Sequence, residues 1–203
     1  MEQREHDAEE PETTRWTQST VYPDMWVDPD DDPRETDTPI DDERGTLLEY
    51  LRYYRLTLEL KCAGLDAEQL ARRSAPPSTM SLLGLVRHLA SGERHLRRVM
   101  TGEDAPELYR TDEDREGDWT GAVADPAVAA DAWRQWHTEM EATDRYLAGV
   151  SDLGTWNVGV SDFGPDGADL QLRDAVLGQI VEYARHCGHA DILRERIDGR
   201  VGQ

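Results

Sequence analysis

A chain of 203 residues is long enough to bury one sizeable core and short for two. With 43 acidic residues against 22 basic ones, the formal net charge of −21 repels phosphate backbones and anionic lipid. No Lys/Arg cluster forms a counter-patch, so neither nucleic acid nor a membrane surface is an expected partner. No run approaches the ~18 apolar residues of a membrane span, and the start MEQREHDAEEPE lacks a signal peptide's basic and then apolar order. The expected location is the cytoplasm.

Charge is unevenly spread. The first 43 residues hold 16 Asp or Glu against three Arg, a net of −13, which leaves −8 for the rest. Residues 1–40 are rich in Asp, Glu, Pro and Thr, contain the run Asp28-Pro29-Asp30-Asp31-Asp32-Pro33, and lack apolar periodicity, so they read as an extended, partly disordered acidic arm. Within it Trp16, Tyr22, Met25, Trp26 and Val27 are too apolar for a pure solvating tail. Residues 16–27 are therefore candidates to dock on the domain or on a second copy in a homodimer.

From residue 41 to 203 the pattern is helical. After Asp41-Asp42, Leu47, Leu48, Leu51, Tyr54, Leu58 and Cys62 recur at three- and four-residue spacing, and Gly64 stops the stripe. Asp66 then caps a single turn, and Pro76-Pro77 breaks the chain. Ser81 caps a second helix bearing Leu82, Leu85, Val86, Leu89, His95, Leu96 and Val99, which ends at Gly102. Residues 102–124 are too polar and too long for a tight connection; loops of that length often carry function, as a lid or as a solvated crossover. A third helix starts at Pro126 and runs through Val128, Ala132, Trp136, Met140 and Tyr146 to Gly149. The Gly- and Asp-rich stretch that follows has room for turns or a short hairpin. A fourth helix spans Leu172 to Asp198 and ends at Gly199. Four such helices with no strand alternation between them predict an all-α four-helix bundle.

Chemistry concentrates on the fourth helix. Glu182 and His186 are four residues apart, so their side chains leave the same face one turn apart and can share one cation. The same spacing arises on solvated faces that bind nothing. His88 sits in an otherwise apolar stretch of the second helix, either as a core histidine bonded to a neighbour or as a third ligand. Cys62 and Cys187 are far apart without a CxxC partner and read as ordinary helix residues. His95 and His137 lie away from the ligand pattern, and Trp133, Trp136, Trp156 and Phe163 are candidates for core or pocket walls.

The segment from Ser81 to Glu93, SLLGLVRHLASGE, and the segment from Glu182 to Glu195, EYARHCGHADILRE, resemble the two signature segments of the DinB/YfiT-like superfamily of metalloenzymes, in a branch common in actinobacteria. The resemblance extends over about residues 28–202, including the lead-in DDPRET, and is loose outside the two segments. It implies a bundle cleft in which a divalent metal is bound by His88, Glu182 and His186. Most members carry histidine where Glu182 stands; a His-Glu-His set is similar to mycothiol-dependent maleylpyruvate isomerase. Two imidazoles and one carboxylate leave coordination positions open, as catalytic zinc requires, with nickel, iron or manganese as substitutes.

The function so implied is a transferase or isomerase that uses mycothiol or another low-molecular-weight thiol on an electrophilic small-molecule substrate, since a cation lowers a thiol's pKa. His189, three residues beyond His186, is the candidate second donor or general base; Glu93 and Asp191 are candidates to orient a ligand histidine. Arg87, Arg94 and Arg185 flank the ligand positions as candidate anion contacts. The alternative is a non-catalytic metal- or ligand-binding bundle that serves as an interaction module.

Overall fold

Six helices form in the order α1 (Glu43–Cys62), α2 (Ala67–Ala71), α3 (Leu82–Thr101), α4 (Gly117–Thr120), α5 (Pro126–Ala148) and α6 (Leu172–Asp198). This computed structural model describes residue 27 and residues 31–36, 39–155 and 171–202; most of the apolar arm segment and the stretch expected to hold a hairpin lie outside them. No strand occurs among the described residues.

Local chemistry sets the helix ends where the sequence placed them. Asp42 and Ser81 accept from the amides of Gly45 and Gly84, satisfying donors that the first helical turn leaves open. Asp66 and Gln69 form a reciprocal capping box on α2. Asp125 caps α5 ahead of Pro126, while Gly102 and Gly199 close α3 and α6 in the left-handed conformation. Arginines finish what glycines leave open: Arg194 donates to the carbonyls of Lys61 and Ala63 at the end of α1, and Arg44 to those of Leu147 and Val150 at the end of α5.

The four long helices bury one apolar core. Leu51 and Leu58 of α1, Leu85 and Leu89 of α3, Trp136 of α5 and Leu193 of α6 are all within 2% of complete burial. Helix α3 packs between α5 and α6, and α6 also packs on α1. His88 meets Glu182, whereas Gly92, one turn later on α3, faces Gln179, one turn earlier on α6, so the two helices run antiparallel.

One polar group from each long helix enters the core. The Arg55 guanidinium of α1 forks onto both oxygens of Glu93 on α3 at 2.7 Å; Tyr183 of α6 donates to Glu93 Oε1 at 2.8 Å; Trp136 Nε1 of α5 donates to the Tyr183 hydroxyl at 2.7 Å. The Glu93 charge holds the Arg55 guanidinium well above its usual range against the cost of burial, and burial pushes the Tyr183 hydroxyl well up. Ahead of the bundle, Arg34 is buried, forks onto Asp32 and lies over the Tyr53 ring at 5.1 Å, while Arg52 donates to the carbonyls of Pro33 and Arg34. The end of the acidic arm thus lies on α1.

Glu93→Ala leaves the buried Arg55 guanidinium only its exposed partner Asp144, at 2.6 Å, and equilibrium urea denaturation should show a loss of about 3 kcal/mol. Glu93→Gln, which keeps an acceptor for Tyr183, should lose less; equal losses would mean that packing volume, not the ion pair, sets the cost.

Candidate metal centre

Helical periodicity puts Glu182 and His186 on one face of α6, and antiparallel packing brings His88 of α3 opposite them. The Nε2 atoms of His88 and His186 each lie 3.1 Å from the same oxygen, Glu182 Oε1. One potential ligand atom from each residue falls within 4.8 Å of the others. The three residues that the resemblance implied as ligands therefore converge.

The far side of each imidazole is held as well. His88 Nδ1 is 3.1 Å from Asp118 Oδ2, and Asp118 is completely buried. Ser91 donates to its other oxygen at 2.9 Å, and Arg110 Nε donates to Oδ2 at 2.8 Å. His186 Nδ1 faces His189 Nδ1 at 3.2 Å. Both ring nitrogens of His88 thus face a carboxylate, Asp118 at Nδ1 and Glu182 at Nε2; with a cation at Nε2 the ring proton would sit on Nδ1, held by Asp118. The Trp119 indole stacks on that imidazole, with ring centroids 5.1 Å apart.

These contacts test whether a cation fits. The Nε2 atoms of His88 and His186 and the Oε1 atom of Glu182 point at one another, two imidazole nitrogens and a carboxylate oxygen. An N–H on either nitrogen can donate to that oxygen, and a metal ion bound by the nitrogen lone pairs can take the proton's place. The protonated alternative falls on His88: burial opposes its charge, but hydrogen bonds to Asp118 and Glu182 overcome that and raise its pKa. His186 remains neutral, lowered to about 4 by burial and by the neighbouring His88 charge. Glu182 stays ionised, because the hydrogen bond from His88 and the His88 charge outweigh its partial burial. Two nitrogens and a carboxylate oxygen match the donor set of an open zinc-type site.

Asp118 is the functional residue that sequence reasoning missed. It arrives from the polar 102–124 connection, on the short α4, which Arg87 fixes by donating to the carbonyls of Gly117 and Asp118 at 2.9 and 3.0 Å. Arg87 also covers the Tyr109 ring at 3.8 Å. A Cβ on Gly117 would stand 1.8 Å from the Tyr109 carbonyl oxygen, so only glycine lets this turn close. The available signal was Gly117-Asp118-Trp119 itself, an aromatic beside glycine inside an otherwise polar loop.

The other expected roles redistribute. Glu93 does not reach a ligand histidine: both of its oxygens are taken by Arg55 and Tyr183 in the core. Asp191 pairs with Lys61 at 2.5 Å and likewise orients no ligand. Arg87 braces α4 rather than meeting solvent, Arg94 is tied to Glu139, and Arg185 is exposed 3.7 Å from Glu182. His137 bonds Glu59 and the Trp133 carbonyl, away from the site. Cys62 and Cys187 are buried free thiols that burial pushes up to about 12. A cavity of about 330 Å³ opens beside the centre, with His88, Ser91, Gln179 and Glu182 in its wall.

The family model for mycothiol-S-transferase matches residues 46–199, the span of all six helices except the first turn of α1. The chain belongs to this DinB-like family. Among solved structures it is similar to a conserved protein from Enterococcus faecalis, at 15% identity and a TM-score of 0.52, over 79% of this chain and 100% of that one. At that identity the likeness speaks for the fold alone, a DinB-like all-α bundle. No curated protein matches the sequence. Among the described residues, no helix is long and apolar enough to cross a membrane.

Asp118→Asn keeps the shape of the side chain but removes the charge that orients His88. Divalent-metal affinity, measured by competition with a chromogenic chelator, should fall about 10- to 100-fold with little change in thermal stability. Unchanged affinity would show that His88 needs no such partner.

Proposed function

We propose that this chain is a metal-dependent S-transferase that joins a low-molecular-weight thiol, mycothiol first among the candidates, to an electrophilic small molecule. The observation that carries the reading is the convergence of His88, Glu182 and His186 at the wall of a cavity that two of them, His88 and Glu182, line. His189, the candidate for a further ligand, is turned to Nδ1 of His186, which favours an open centre over a closed structural one.

A divalent ion held by these residues, zinc or a comparable cation, would supply Lewis acidity that lowers the pKa of an incoming thiol. The chain's own residues do the rest. Asp118 and His189 act as positioning residues that direct the Nε2 lone pairs of His88 and His186 into the centre. Trp119 covers the outer face of His88 and limits the approach of water. Neither buried cysteine competes as the nucleophile, since both thiols stay protonated at neutral pH. In the transfer the external thiol loses its proton, its sulfur forms a bond to the electrophilic carbon, and the displaced group leaves with the bonding electrons.

The test combines metal analysis with turnover. Protein purified without a chelating tag should carry near-stoichiometric divalent metal and accelerate conjugation of mycothiol to monochlorobimane. Glu182→Ala and His186→Ala should lose both the metal and the acceleration while keeping the helical circular dichroism of wild type. Metal bound without conjugation of any thiol would leave a binding module; failure to bind any divalent ion after reconstitution would overturn the metal-centred reading.

A further inference from the structure

The cavity beside the centre has two features that the metal site does not use. Gln179 of α6 lines it, is 7% exposed, and its Nε2 finds no hydrogen-bond partner. A buried amide donor without a partner carries an uncompensated desolvation penalty, so a ligand acceptor at this point would recover a cost already present in the fold. Gly92 of α3 leaves the room: a Cβ there would come within 3.3 Å of that nitrogen.

The second feature is Arg98. Three arginines line the cavity, and two are already neutralised, Arg94 by Glu139 and Arg110 by Asp118. Arg98, in the last turn of α3, has no ion-pair partner among the described residues. In a chain of net charge −21 an uncompensated cation in a cavity wall is the exception to the surrounding field.

We propose that Arg98 and Gln179 form an anion subsite that takes a carboxylate group of the small-molecule substrate. A planar carboxylate matches the guanidinium fork and can also accept from one amide. A phosphate dianion fits less well, because Glu107 and Glu182 also line the cavity and repel a second negative charge. The identification of the bound molecule as a substrate rests on the function proposed above. The subsite itself does not, and its test needs neither metal nor turnover.

The probes are a matched pair, 6-acetamidohexanoate and its neutral primary amide, titrated into the full chain and followed by protein-observed NMR. The acid should bind about tenfold more tightly than the amide, a charge-assisted hydrogen bond's contribution. Arg98→Gln should abolish that preference, and Arg98→Lys should restore part of it. Gln179→Leu should weaken the acid without erasing the charge preference. Equal binding of the two probes to wild type, no binding of either, or a preference that survives Arg98→Gln would each overturn the subsite. Because metal content is measured separately, losing the subsite leaves the His88–Glu182–His186 centre to stand or fall by its own experiment.

Discussion

The geometry of the candidate metal centre depends on the buried junction of Arg55, Glu93, Trp136 and Tyr183. Each long helix contributes one member, so the junction fixes rotation as well as spacing. Tyr183 can bond Glu93 only if α6 is turned to put it into the core, and that turn carries Glu182, the next residue back, toward the cleft. On α3, holding Glu93 against Arg55 directs His88, five residues earlier, toward α6. Removing Arg55 would leave Glu93 buried without a counter-charge, and removing Glu93 would leave Arg55 only the exposed Asp144, which makes the junction intolerant of slippage between helices. The site is open to ligands, but the scaffold behind it is rigid.

The electrostatics show the same division. The first 43 residues carry −13 of the net charge of −21, while basic side chains near the bundle are largely spent on specific acceptors. Arg194 and Arg44 satisfy carbonyls at helix ends, Arg34 and Arg52 hold residues 31–36 on α1, and Arg87 pins α4. Such contacts convert a long flexible side chain into a geometric constraint, at a cost in rotamer entropy that several fixed donors offset. Against this background an arginine without an assigned acceptor, beside a half-used amide, stands apart from the others.

How much could be read in advance followed the range of the interactions. The helices were legible because caps, stop glycines and apolar spacing act within a few residues: Ser81, Asp66, Pro126, Gly102 and Gly199 all occupy the positions their chemistry implies. Glu182 and His186 were legible as a pair from spacing alone, whereas joining His88 to them required the family resemblance, because sequence spacing says nothing about which helices pack together. Glu93 looked like a ligand-orienting carboxylate since it shares a helix with His88. Its real partner, Arg55, is 38 residues away, and no local pattern points to that pairing.

Asp118 marks where local reading stops. A carboxylate in a polar loop resembles the many exposed acids of this chain, and only tertiary structure reveals that it is completely buried against His88, Ser91 and Arg110. Three hydrogen bonds to the charged form offset the desolvation and keep its pKa below the usual carboxylate range. This has a consequence for how the site is built. Two of its walls come from long helices that the core holds in place, but the carboxylate at Nδ1 of His88 comes from a four-residue helix, which Arg87 holds by its backbone and Ser91 and Arg110 by Asp118. Assembly of the candidate centre is therefore coupled to the docking of a loop, and changes in the 102–124 connection far from His88, Glu182 and His186 act on it through Asp118.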